Sequence, residues 1–240
     1  YAWFTAPGRN VIGRVNRTTG VTTEFSIPTS ASYPADLDAA GDGNIWFTER
    51  DAGQIAHLVV TSTVDYRVDE YQGPSFVGRE PYGIVTPKKD TIYFAEMEKD
   101  DIVLAKPKEN SWSLIWDPVY DLEGPFRIVP ERVDKVWITE YTGDGIGMAL
   151  FGTTSIIRHY PVSPPNSRPH SLALDNSGEI WFTQEGANQL GHLLPSTGDA
   201  FYYPLPVSNL NPRGLSMGDS GQFWLVASHP YVVYLPVVVR

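Results

Sequence analysis

Hydrophobic and polar residues alternate along this chain in short runs, and one run recurs. An aromatic residue leads β-forming residues and ends on a variable position: Trp3-Phe4-Thr5-Ala6, Trp46-Phe47-Thr48-Glu49, Tyr93-Phe94-Ala95-Glu96, Trp137-Ile138-Thr139-Glu140, Trp181-Phe182-Thr183-Gln184 and Trp224-Leu225-Val226-Ala227. The lead aromatics lie 43, 47, 44, 44 and 43 residues apart, a period that marks a repeat architecture. A second run opens on proline and closes on an aliphatic residue, as in Pro34-Ala35-Asp36-Leu37, Pro81-Tyr82-Gly83-Ile84, Pro125-Phe126-Arg127-Ile128, Pro169-His170-Ser171-Leu172 and Pro212-Arg213-Gly214-Leu215. A third begins nine residues after each lead aromatic, as in Ile12-Gly13-Arg14, Ile55-Ala56-His57, Leu190-Gly191-His192 and Val233-Tyr234-Leu235. The fourth is an outer segment such as Asp199-Ala200-Phe201-Tyr202-Tyr203-Pro204. Asp-Gly and Ser-Gly pairs between the first two runs supply the positive φ of tight hairpins.

Four short antiparallel strands per repeat describe a propeller blade, which buries its faces only against its neighbours. The expected fold is all-β: a six-bladed β-propeller with four-stranded antiparallel blades, its first and last repeats incomplete. One domain over 1–240 is expected, with repeats at approximately 1–30, 31–77, 78–121, 122–165, 166–208 and 209–240. The Trp and Phe of the second strand should fill the space between blades, each contributing about 1.5–3 kcal/mol. The first repeat opens in its second strand and the last reaches only its third, so 22 strands are expected where six full blades need 24. The tail Leu235-Pro236-Val237-Val238-Val239 reads as the absent proline-led strand. It is expected to complete the first blade or to pair with another chain through its apolar edge.

Composition agrees with many turns and few charged faces: 21 glycines, 20 prolines and 19% charged residues. A net charge of −10 repels phosphate backbones and argues against a nucleic-acid partner. No apolar run approaches the roughly 20 residues of a membrane-spanning helix. The absence of cysteine excludes disulfides, thiolate metal sites and cysteine nucleophiles. Exported proteins are often free of cysteine, and an extracellular or periplasmic location is expected.

Candidate chemistry lies at positions that recur once per repeat. Glu49, Glu96 and Glu140, with Gln184 in the fifth repeat, follow the lead aromatic by three residues. Three carboxylates facing one channel could hold Mg²⁺ or Ca²⁺. Equally, the glutamate could belong to the repeat and bond turn backbone within each blade. His57, His192 and His159 read as solvated surface residues. Apart from that ring, the residues themselves call for no cofactor.

The combined pattern of Pro-x-Gly-Ile, Trp-Phe-Thr-Glu, Ile-Gly-Arg and an outer strand ending in Leu/Ile-Pro resembles the virginiamycin B lyase (streptogramin B lyase) family. The resemblance covers essentially the whole chain and is strongest from Arg168-Pro169-His170 to Gln189-Leu190-Gly191-His192. It implies a seven-bladed relative that linearises a cyclic depsipeptide by elimination at its ester, with Mg²⁺ as electrophile and histidine as base. It also places the residue after each proline (Ala35, Tyr82, Phe126, His170 and Arg213) at the mouth of the central channel. His170 matches a family histidine of the penultimate repeat. A Glu-Pro-His tripeptide is replaced here by Asn211-Pro212-Arg213, and a metal carboxylate by Ser228. Arginine stays protonated and is a poor base, and the other two changes remove negative charge from a site for a hard dication.

The expected function is therefore a non-enzymatic extracellular binding or assembly module. A small polar ligand would meet Tyr82, Phe126, His170 and Arg213, or a protein partner would bind, with self-association through the C-terminal strand. The alternative is a lyase or other metal-assisted enzyme acting on a small cyclic peptide or ester. Its base would be His170 and its metal ligands Glu49, Glu96 and Glu140.

Overall fold

A computed structural model describes residues 1–41, 43–62, 65–72, 79–89, 91–108, 111–115, 122–152, 155–218, 221–228 and 235–237. Every regular element of more than three residues in it is a β-strand. The chain divides into two compact units, Tyr1–Pro118 and Val119–Arg240.

In the first unit, β1 (Ala2–Ala6), β2 (Val11–Val15) and β3 (Thr22–Ser26) form a three-stranded sheet. A four-stranded sheet follows from β4 (Pro34–Ala39), β5 (Ile45–Glu49), β6 (Gln54–Val60) and β7 (Tyr66–Tyr71). The next is built from β8 (Pro81–Lys88), β9 (Thr91–Glu96), β10 (Asp101–Lys108) and β11 (Ser111–Ile115). In the second unit, β12 (Pro125–Arg132), β13 (Lys135–Glu140), β14 (Gly145–Leu150) and β15 (Ile156–Pro161) make one sheet. β16 (Pro169–Leu174), β17 (Ile180–Gln184), β18 (Gln189–Leu194) and β19 (Asp199–Pro204) make a second. β20 (Pro212–Met217), β21 (Phe223–Ala227) and β22 (Leu235–Val237) make a third. Each sheet is an antiparallel meander in chain order, the pattern of a propeller blade. The described strands number 22, as the repeat count predicts.

The aromatic runs form the core between consecutive blades. Trp3 packs with Phe47 and Leu58, Trp46 with Ile84 and Phe94, and Trp137 with Leu172 and Phe182. Trp181 packs with Phe223 and Leu225. Across β17 and β18, Phe182 lies directly opposite Gly191, and a methyl group there would run into its ring. Glycine in that run is therefore a demand of close ring-on-backbone packing. Phe4 and Gly13 repeat the arrangement.

Each proline-led strand breaks register just after its proline, between Pro34 and Leu37, Pro81 and Ile84, Pro125 and Ile128, Pro169 and Leu172, and Pro212 and Gly214. Such an irregularity leaves ladder groups unpaired and re-aims side chains. The threonine of the aromatic run supplies the missing partner. Thr48 Oγ1 accepts from the Asp36 N–H (3.1 Å), Thr139 Oγ1 from the Arg127 N–H (3.0 Å) and Thr183 Oγ1 from the Ser171 N–H (3.0 Å).

The C-terminal tail departs from expectation. Leu235–Val237 is the third strand of the last sheet and pairs Leu225 with Leu235 and Trp224 with Pro236. It neither completes the first blade nor stands unpaired. Pairing back onto β21 gives these backbone groups a nearby partner, and as an edge strand it tolerates Pro236, which lacks an N–H. Val233 and Tyr234, and Val238 and Val239, lie outside the described residues.

Candidate ligand site

The bulges fix where the residue after each proline sits. Thr48 Oγ1 also donates to the Tyr82 carbonyl of the next blade (2.8 Å), and Thr139 Oγ1 to the His170 carbonyl (3.4 Å). One hydroxyl thus closes a bulge in its own blade and pins the candidate residue of the following one.

In the second unit this brings Phe126, His170 and Arg213 into one cluster with Tyr141 and Glu185. The His170 ring meets Phe126 edge-on at 4.7 Å and Tyr141 at 6.1 Å, while Phe126 and Tyr141 lie 5.3 Å apart. Arg213 donates from Nε (2.8 Å) and Nη2 (2.6 Å) to Glu185 Oε1. The Tyr141 hydroxyl donates to Glu185 Oε2 (2.9 Å). Arg168 lies over the Tyr141 ring, 6.0 Å from its centroid.

The electrostatics follow from these contacts. Burial, helped by the charges of Arg127 and Arg213, pushes His170 down to about 4, against the pull of Glu185. The imidazole is therefore neutral at pH 7, and its buried Nδ1 has no hydrogen-bond partner among the described residues. Burial alone would raise the Glu185 carboxyl, but the bonds from Arg213 and Tyr141 hold it below its ordinary value. Burial and the neighbouring Glu185 raise the Tyr141 phenol. The site thus offers two aromatic faces, a neutral imidazole and three arginines against one carboxylate.

Tyr141 and Glu185 are absent from the sequence-level candidates. They occupy the position after the aromatic run's last residue, shared by Arg50 and Ser228, so extending the repeat by one residue would have exposed them. Tyr82 belongs to the first unit. There Arg50 lies 3.7 Å above the Tyr33 ring and donates from Nη1 to the Tyr82 hydroxyl (3.2 Å).

The positions where the resemblance implies metal carboxylates do come together, since Ser228 Oγ donates to the Asn211 carbonyl (3.4 Å). Their side chains are neutral, and the nearby Glu185 carboxylate is already engaged by Arg213. Such a donor set does not fit Mg²⁺, which is held through carboxylates.

The recurring glutamates find partners inside their own blades. Fully buried Glu49 accepts from Gln54 Nε2 (3.1 Å), and burial raises its carboxyl to about 7 against hydrogen bonds from Ser32 and Gln54. Glu96 is fully buried in an ion pair with Arg79, which also reaches Asp101. Glu140 Oε1 bonds His159 Nδ1 (2.9 Å) and the Glu123 N–H (3.3 Å). Gln184 Oε1 accepts from Gln189 Nε2 (2.6 Å).

His159 is exposed, as expected, but His57 and His192 are partly buried. His57 stacks on Trp46 at 4.3 Å and His192 on Trp181 at 4.0 Å, because the register sets each opposite its lead aromatic. His192 Nε2 also bonds Glu179 Oε2 (2.8 Å), and with Asp175 these groups bring three ligand atoms within 4.8 Å of one another. His159 is held by Glu140. The constant spacing of eleven residues between Trp and His was the available signal.

Comparison with known proteins agrees with this architecture. A virginiamycin B lyase from Nocardia farcinica is 24% identical over 197 residues, covering 80% of this chain and 61% of that protein. The chain thus spans less than two thirds of the length of that relative. A streptogramin B lyase structure superposes with a TM-score of 0.81 at 30% identity, covering 94% of this chain and 72% of that one. A catalytically inactive histidine-to-alanine variant of virginiamycin B lyase from Staphylococcus aureus, solved with quinupristin, gives a TM-score of 0.80 at 27% identity over 94% of this chain and 73% of that one. The virginiamycin B lyase family model matches residues 1–235, and the chain belongs to that family.

Proposed function

We propose that this chain is a ligand-binding member of its family, and that its second unit takes a small anionic ligand bearing an apolar group. The carrying observation is Arg213, whose guanidinium stands where the resemblance implies a catalytic base and locks the Glu185 carboxylate from two nitrogens. With Arg127 and Arg168 beside it, the cluster is locally cationic in a chain of net charge −10. Phe126 and Tyr141 supply apolar faces, and neutral His170 supplies an unbonded ring nitrogen. Small-ligand sites combine apolar walls with a few placed polar groups in this way. No step of ester elimination is assigned to these residues.

The test has two arms. Incubation with quinupristin and Mg²⁺, followed by mass spectrometry, is expected to leave the depsipeptide ring intact. Titration with benzoate, followed by tyrosine and tryptophan fluorescence, is expected to saturate, and Arg213→Ala to weaken it. Linearisation of quinupristin would overturn the non-enzymatic reading. It would favour a second one, supported by family membership and by His170 being neutral, in which His170 acts as a base. Failure of benzoate to saturate would overturn the anion reading.

A further inference from the structure

Among the described residues two arginines are buried, Arg14 at 9% exposure and Arg79 at 8%. Arg79 meets two carboxylates, Glu96 and Asp101. Arg14 meets none among the described residues, and its buried Nε has no hydrogen-bond partner. Glu24 is the only acidic residue before Asp36. It lies opposite Gly13, on the other face of the sheet from Arg14, and is engaged by Arg9.

Aromatic rings surround the guanidinium instead. The register of β1 and β2 sets Arg14 opposite Trp3. Its Cζ lies 4.4 Å from the Tyr1 ring centroid, 5.2 Å from that of Phe25 and 5.5 Å from that of Trp3. Ring faces attract the charge but do not replace the oxygen acceptors that the N–H groups have in water. The blade itself does not require a cation at this place. The residue opposite the lead aromatic is His57 in the second sheet, Leu104 in the third, Met148 in the fourth and His192 in the fifth. Arg14 is the one of the five whose side-chain type cannot shed its charge to relieve burial.

We infer that Arg14, with the rings of Tyr1, Trp3 and Phe25, forms a second binding site, in the first unit, for a small monocarboxylate. The two Nη nitrogens make no hydrogen bond among the described residues and are not enclosed, so this edge is where solvent reaches the charge. Two parallel N–H groups there match the two oxygens of a carboxylate. With 9% of the residue exposed, the opening suits a short chain. A phosphate group carries about −1.5 to −2 at pH 7 and would leave charge uncompensated beside a single guanidinium. A carboxylate balances it.

The experiment is an NMR titration of the full chain with sodium acetate, following the Arg14 Nε–H and Trp3 indole resonances. Sodium chloride holds the ionic strength constant, and phosphate is titrated in parallel. Saturation near about 10 mM is expected, with phosphate at least about five-fold weaker. Arg14→Met introduces the residue type found opposite Trp137. It should abolish the Trp3 response without lowering the melting temperature, because it removes an unpaired buried charge and keeps an apolar stem. Arg14→Lys keeps the charge but not the fork and should weaken binding about ten-fold. Arg213→Ala disables the site proposed above and should leave the Trp3 response unchanged, so the two readings fail separately. The inference is overturned if the shifts do not saturate, if chloride or phosphate reproduces them equally, or if Arg14→Met still responds. A clear fall in melting temperature in Arg14→Met would also overturn it, since the rings alone would then account for the cation.

Discussion

Glutamine in place of Glu49 should stabilise this protein at neutral and alkaline pH. Glu49 is fully buried and accepts a hydrogen bond from Gln54, yet burial raises its carboxyl from an ordinary 4.5 to about 7. The folded state therefore holds this proton more tightly than the unfolded chain. Between these two values the native protein binds more protons than the unfolded one, so its stability falls as pH rises, and levels off above about 7. The raised value corresponds to about 3 kcal/mol of native-state penalty once the group is ionised, an upper bound because relaxation reduces it. Gln184 holds the same place in the fifth blade with a bond from Gln189, so Glu49→Gln keeps the shape and the polar contact. The expected gain is about 1–3 kcal/mol at pH 8, a rise in melting temperature of roughly 2–10 °C for a chain of this size, shrinking towards nothing at pH 4. Urea denaturation of both proteins across pH 4–9 measures it directly. Glu140 and Asp101 are also raised by burial, so the informative quantity is the difference between the two curves. A pH-independent difference, or a variant less stable than the parent at pH 8, would refute the reasoning.

Three other expectations follow from the same geometry. Imidazole NMR should place the His170 transition at about 4, and this group's contribution to stability should be complete above its ordinary 6.5 and decline as pH falls towards 4; a transition above 6 would contradict the burial argument. Thr139→Val removes the hydroxyl that serves the Arg127 N–H and the His170 carbonyl, and chemical denaturation should record a loss of about 1–3 kcal/mol. Gly191→Ala would force a methyl group into the Phe182 ring, and a cost of about 1–3 kcal/mol is expected in the same assay.

The resemblance to a lyase family was legible in whole motifs, because those motifs are the blade itself. The departures at Asn211, Arg213 and Ser228 were equally legible as residue types. What Arg213 does was not. Its fork engages Glu185, which stands in a neighbouring blade and 28 residues away in sequence. Likewise the glutamate that ends three of the aromatic runs was visible as a recurring position, but its partners differ from blade to blade: Gln54, Arg79, His159. Only the spatial neighbours decide which partner each carboxylate meets.

By itself, the sequence determined the strand order, the 22 strands, the aromatic core and the family, because period-two alternation and a period near 44 residues are local and repeated. Tertiary structure decided the rest. Cross-strand register turned His57 and His192 from apparent surface residues into rings stacked on tryptophan. Pairing along β21 decided that the tail belongs to the last sheet. In each case the deciding quantity is a contact between residues far apart or across a strand pair. Periodicity reports which face a residue takes and says nothing of what it meets there.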